Sequence, residues 1–166
     1  TIPTETALEN LIKSIDIIGN DVSYLASTVF GINGSCMNIP GISSRKDENG
    51  HLTWNKYLNE GIVEINGATF VSLLINGKAT KKIGLPVRDY FIWGDDGEYT
   101  ERLTRYFNPA YIIGKSIVIH KRKGNGTLSL FDEENVNRVG FWYYMVRNNL
   151  INTKEYFGKN KMLRLM

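Results

Sequence analysis

The chain has 166 residues, 42% hydrophobic and 22% charged, which is the balance of a folded globular core and excludes a disordered chain. Its net charge of +3 is small, and Lys and Arg are not gathered along one helix or strand, so nothing indicates a nucleic-acid partner. One cysteine, Cys36, excludes an internal disulfide and a thiolate zinc site, and no apolar run approaches the roughly 20 residues of a membrane-spanning helix. A reducing cytoplasm is therefore expected. Thr1 is followed by neither the basic segment nor the long apolar run of a signal peptide, and a start without Met reads as a cut chain.

Thr6 followed by Glu9 has the spacing of a capping box, and Leu8, Leu11, Ile12 and Ile15 recur at helical intervals, which predicts a helix over 5–17. The β-branched and aromatic run 22–32 predicts a strand ending at the turn residues Asn33 and Gly34. Residues 40–59 mix Gly, Ser, Asp and Asn without apolar periodicity and are expected to form a long surface loop of the kind that often carries function.

Next come a strand over 61–65, a turn at Asn66-Gly67, an apolar segment to Leu74, and a short helix capped by Asn76 and closed by Gly84 and Pro86. Tyr90-Phe91-Ile92-Trp93 reads as an apolar strand leading into a helix that opens with Asp95, Asp96 and Glu98 and carries Arg102 and Arg105 later, a polarity that suits the helix dipole. A strand over 110–120, a basic glycine-bearing loop over 121–126 and a long helix over 136–157 complete the chain.

The sharpest chemical feature is the cluster Asp95-Asp96-x-Glu98. Carboxylates at a strand end sit where α/β folds place their ligands, and crowding of like charges suits a general base or a metal ligand. The competing reading is an acidic helix start that only complements the dipole. His120 ends a strand beside Lys121, Arg122 and Lys123; it reads either as a structural histidine or as one ligand of a cation, since no His-x-His spacing accompanies it. Trp93, Trp54 and Trp142 offer aromatic faces to a sugar or to the core, with Trp93 the better placed for a sugar because it precedes the acids.

Taken together, Thr1-Ile2-Pro3, Ile65-Asn66-Gly67-Ala68-Thr69-Phe70, Ile83-Gly84-Leu85-Pro86, Phe91-Ile92-Trp93-Gly94-Asp95-Asp96-Gly97-Glu98-Tyr99 and Tyr143-Tyr144-Met145-Val146-Arg147-Asn148 resemble family-2 glycosyltransferases of the galactofuranosyl and rhamnosyl kind. The resemblance implies an α/β fold that is the acceptor-side part of a GT-A domain: a mixed sheet flanked by helices over 1–130, then a C-terminal helical segment over 131–166. It implies that the donor-nucleotide half and its Asp-x-Asp motif precede Thr1.

It further implies Asp96 as the base that deprotonates the acceptor hydroxyl, Asp95, Glu98 and Trp93 as acceptor-binding residues, and His120 as a ligand of Mg²⁺ or Mn²⁺ in the intact parent. The implied partners are a nucleotide-diphospho-sugar donor and a glycan or glycolipid acceptor in surface polysaccharide synthesis, at the cytoplasmic face of the membrane. The isolated chain is then expected to bind no cation tightly, to be inactive and to self-associate as a homo-oligomer. Two other functions are a hydrolase built on the same carboxylates, which adjacent residues are badly placed to serve, and a non-catalytic carbohydrate-binding or assembly module.

Overall fold

The computed structural model describes residues 1–122, 130–131 and 133–158. The protein is a mixed α/β chain with a mixed β-sheet and a C-terminal helix. It divides into two compact units, one of Thr1–Leu85 with Thr100–Asn125 and the other of Pro86–Tyr99 with Gly126–Met166.

The first unit holds a seven-stranded sheet. Its elements in chain order are β1 (Ile2–Pro3), α1 (Ala7–Ile18), β2 (Tyr24–Gly31), β3 (Cys36–Met37), β4 (Gly41–Ile42), β5 (Ile62–Gly67), β6 (Leu73–Ile75) and α2 (Gly77–Ile83). After α3 (Asp95–Tyr106) comes the long β7 (Ala110–His120). The sheet runs β3-β2-β7-β5-β4, with β1 added to β7 and β6 to β2. β7 is parallel to β2 and antiparallel to β5 and β1, so it is the axis on which both ends of the sheet are built.

The register of β7 on β2 jumps from Ser27↔Ile113 to Thr28↔Ile117, and the bulge is held by short polar contacts. Ser116 Oγ lies 2.8 Å from Ser27 Oγ and donates to Ala7 O at 2.8 Å. Gly114 fits here because its N–H donates to Gly61 O at 2.8 Å and a Cβ would come within 2.9 Å of that oxygen. α1 supplies Leu11 to a buried cluster with Val22, Leu25, Ile62, Tyr111 and Ile113, and Ala7 to a second cluster with Val29, Met37 and Val118. Burial of these side chains is the main force holding helix to sheet, on the order of 1.5–3 kcal/mol for each large one.

Several local expectations meet different solutions. Thr6 precedes α1 but makes no capping bond; its Oγ1 accepts instead from Asn10 Nδ2. Asn76 does cap α2, accepting from Lys78 N at 2.9 Å. Asn66-Gly67 is the end of β5 rather than a turn, since Gly67 pairs with Gly41 and Asn66 O accepts from Thr104 Oγ1. The loop 40–59 is shorter than its composition suggests, because it contains β4, a bridge between Lys46 and Leu52, and a single 3₁₀ turn at Leu58–Glu60.

In the second unit the aromatic stretch before the acids is no strand. A 3₁₀ turn at Arg88–Tyr90 leads into bends at Ile92–Gly94. The helix expected over 136–157 is two pieces, α4 (Val136–Val139) and α5 (Trp142–Phe157), interrupted at Gly140 and Phe141. Of the basic loop expected over 121–126, residues 123–126 lie outside the described residues.

Candidate functional site

The acid block occupies the first turn of α3, where Asp95, Asp96 and Glu98 complement the helix dipole as expected. Asp95 and Asp96 are half-buried, and Asp96 Oδ1 accepts from the backbone N–H of Gly97 at 2.8 Å. Glu98 is buried, 6% exposed, and accepts a hydrogen bond of 2.9 Å from the Tyr156 hydroxyl. The three carboxylates thus divide into a pair at the surface and one facing α5.

The approach to this turn is unusual. Phe91 has φ 60 and ψ −61, and the N–H of Ile92 donates to Tyr90 O at 2.7 Å, which together make a γ-turn of the positive-φ kind. Trp93 has φ 58. Both residues carry bulky side chains in a backbone region that costs on the order of 1–3 kcal/mol, so the surroundings must over-determine it.

α5 supplies that constraint through Asn148, Asn152 and Tyr156, spaced four apart and therefore on one face. Asn148 is fully buried, and its Nδ2 lies within hydrogen-bonding distance of three carbonyls, Tyr90 O at 2.9 Å, Ile92 O at 3.1 Å and Trp93 O at 2.7 Å. Its Oδ1 accepts from Arg147 Nε at 3.0 Å, and Arg147 also donates to Asp89 O. Asn152 Nδ2 donates to Gly94 O at 3.0 Å, while its Oδ1 accepts from the Tyr90 hydroxyl at 2.6 Å. Gly94 is required twice over, since it has φ 89 and a Cβ there would meet Asn148 Cβ at 3.1 Å.

Aromatic rings pack beside the turn. Trp93 lies 5.2 Å from Trp142 and 6.4 Å from Phe141, with the Arg138 guanidinium 5.5 Å from its ring centre. Phe91 is 65% exposed and packs edge-to-face with Phe141 and at a tilt on Tyr144. Trp93 is half-buried, so it has packing partners as well as a surface.

His120 belongs to the first unit, where it ends β7 opposite Gly31. Its Nδ1 lies 3.0 Å from the hydroxyl of Thr1, because β1 runs antiparallel to the last residues of β7. Among the described residues no group of three or more His, Cys, Asp and Glu side chains is arranged to hold a metal ion. A single imidazole does not make a cation site, so the described residues do not by themselves fit the Mg²⁺ or Mn²⁺ that the resemblance implies.

The structure brings Trp93, Asp95, Asp96 and Glu98 together within one unit and leaves His120 in the other. Sequence reasoning missed Asn152 and Tyr156, and it quoted Asn148 only as the end of the segment Tyr143-Tyr144-Met145-Val146-Arg147-Asn148, with no role assigned. Their four-residue spacing was visible, but nothing in the sequence named the carbonyls they hold. No protein-family model matches the chain, and no curated protein matches it. No helix among the described residues is long and apolar enough to cross a membrane.

Proposed function

We propose that the chain is the acceptor-side part of an inverting glycosyltransferase of the GT-A fold, which transfers a sugar such as galactofuranose or rhamnose from a nucleotide-diphosphate donor to a glycan or glycolipid. The observation that carries this reading is the strained turn at Phe91 and Trp93, clamped through Asn148 and opening directly onto the half-buried pair Asp95 and Asp96. Backbone strain held in place by a buried polar group is characteristic of sites where geometry matters more than stability.

In this reading Asp96 is the catalytic base. Its carboxylate takes the proton of an acceptor hydroxyl as that oxygen attacks the anomeric carbon, and the bond to the diphosphate breaks on the opposite face with the electron pair leaving on the phosphate oxygen. One displacement inverts the anomeric centre. Asp95, Glu98 and Trp93 contact the acceptor sugar, the carboxylates through its hydroxyls and the indole through its C–H face. The proton goes to Asp96 and the electron pair of the broken bond to the departing diphosphate.

A second feature supports the reading. Pairing of β1 with the end of β7 sets the Thr1 hydroxyl 3.0 Å from Nδ1 of His120, the residue for which the resemblance implies a place beside the donor's diphosphate. The decisive experiment measures release of nucleoside diphosphate by the full-length protein in the presence of acceptor. Loss of that release in Asp96→Asn with donor affinity retained is expected; turnover near the unsubstituted rate overturns the assignment, and glycan binding without turnover in the unsubstituted protein points to a carbohydrate-binding module.

A further inference from the structure

In the first unit, a polar cavity of about 330 Å³ opens where β5 meets the loop after β4 and the last turns of α3. It lies at the start of β7, near Pro109, whereas His120 is at the other end of the same strand. Its volume is at the lower end of the range of small-molecule pockets.

Two ion pairs line it. Glu64, 2% exposed, is held by Arg45 through Nε–Oε1 at 2.9 Å and Nη2–Oε2 at 3.1 Å, by Ser43 Oγ at 2.9 Å and by Thr53 Oγ1 at 2.9 Å. Four donors to one buried carboxylate fix the rotamers on that wall and tie the loop carrying Ser43, Ser44 and Arg45 to β5. On the facing wall Arg105 Nε donates to Glu101 Oε1 at 2.7 Å.

The pairing has a consequence for the ligand. Two guanidinium groups against two carboxylates leave the wall without net charge, so it has no excess cation to hold a phosphate and no excess anion to hold an amine. It offers donors and acceptors together, with the exposed Ser44 and the apolar Pro109 and Ile65 also in the lining. Asn66 also lines the cavity, and its Oδ1 is buried with no hydrogen-bond partner. A buried acceptor left unpaired costs on the order of 1–3 kcal/mol. Hydroxyls, guanidinium groups and carboxylates lining one cavity with the apolar Ile65 and Pro109 match a neutral polyhydroxylated ring.

We propose that this cavity is a carbohydrate-binding subsite that takes an uncharged sugar residue. The inference stands on the cavity and goes beyond the transfer proposed for Asp96, because it concerns recognition at a separate set of residues. It would serve a chain with several sugar units, or act as a binding site in its own right.

The test follows backbone amide shifts by heteronuclear NMR as the chain is titrated with methyl galactosides, methyl rhamnosides and, separately, inorganic phosphate. The expected result is saturable shifts at Ser44, Arg45, Asn66 and Thr104 with at least one glycoside, at a Kd below about 10 mM. Ser44→Tyr, which blocks the rim from an exposed position, and Glu101→Gln, which removes one acceptor, are each expected to weaken that affinity about tenfold or more with the spectrum otherwise folded. Asp96→Asn should leave it unchanged, so that failure here is distinguishable from failure of the transferase reading. Absence of glycoside shifts at those residues overturns the proposal, as do phosphate shifts there with the glycosides silent, or an unaltered affinity in both cavity variants.

Discussion

Asn148 reaches 55 residues back along the chain to donate to the carbonyl of Trp93 at 2.7 Å. That one bond joins the middle of α5 to the residue that introduces the acid block, and the same Nδ2 approaches Tyr90 O and Ile92 O. A turn with positive φ at two bulky residues persists because a fully buried amide satisfies its carbonyls.

Replacement Asn148→Ala therefore leaves several carbonyls without this donor and takes from Arg147 one of its two acceptors, the other being Asp89 O. The expected loss is about 2–4 kcal/mol, toward the upper range for single substitutions because a buried network is broken. Urea denaturation followed by tryptophan fluorescence checks it, since Trp93 and Trp142 both lie in this unit. A loss under about 0.5 kcal/mol would show that the turn holds itself.

Phe91→Gly isolates the strain. Glycine adopts φ 60 without penalty, whereas removing a ring that is 65% exposed forfeits only its ring contacts with Phe141 and Tyr144. The two effects oppose each other, and the net change in stability is expected to stay within about 1 kcal/mol. A loss of about 3 kcal/mol or more in the same denaturation measurement would show that ring packing, and not backbone strain, decides the conformation.

Alkaline stability is set in part by Tyr111. Burial, followed by the nearby Glu64 carboxylate, pushes its hydroxyl from 10.0 up to about 12. Tyr24 is raised as well, again chiefly by burial. A raised folded value means that the stabilisation is fully present below pH 10 and is lost as pH rises through the folded value, because the unfolded chain releases its proton first. Stability should fall from about pH 10 to pH 12 by up to about 1.4 kcal/mol per pH unit for each such group. Urea midpoints across this range are expected to fall less steeply for Tyr111→Phe than for the unsubstituted chain; equal slopes would remove Tyr111 from the account.

What the sequence revealed and what it hid follow one physical line. β7 over Ala110–His120, the Asn76 cap of α2 and the acid-first polarity of α3 rest on local periodicity and near-neighbour hydrogen bonds, and all three are present. The stretch from Tyr90 to Trp93 reads as a strand by composition, yet its carbonyls bond to Asn148, a partner far along the chain. Intrinsic β preference yields to tertiary hydrogen bonding there. The same limit hid the Glu64 wall of the polar cavity: Glu64 and Arg45 stand 19 residues apart, and no local pattern announces that they meet. The acids themselves were legible as residues, while the clamp on the turn that precedes them was not.

The last expectation concerns the acid pair and its clamp together. If Asp96 is the base, Asp96→Asn in the full-length protein removes the proton acceptor without altering shape, and transfer should fall by about three powers of ten or more with donor affinity retained. Asp95→Asn should act through acceptor affinity, raising KM more than it lowers kcat. Asn152→Ala provides the contrast, since it removes the bonds to Gly94 O and the Tyr90 hydroxyl without touching a carboxylate. It should lower kcat by about ten- to a hundredfold, because a displacement near 1 Å at a positioned group costs that much. Initial-rate kinetics on the three variants, with folding checked by denaturation, separates the roles. An Asn152→Ala loss as deep as that of Asp96→Asn with the fold intact would mean that the turn, and not the Asp96 carboxylate, carries the chemistry.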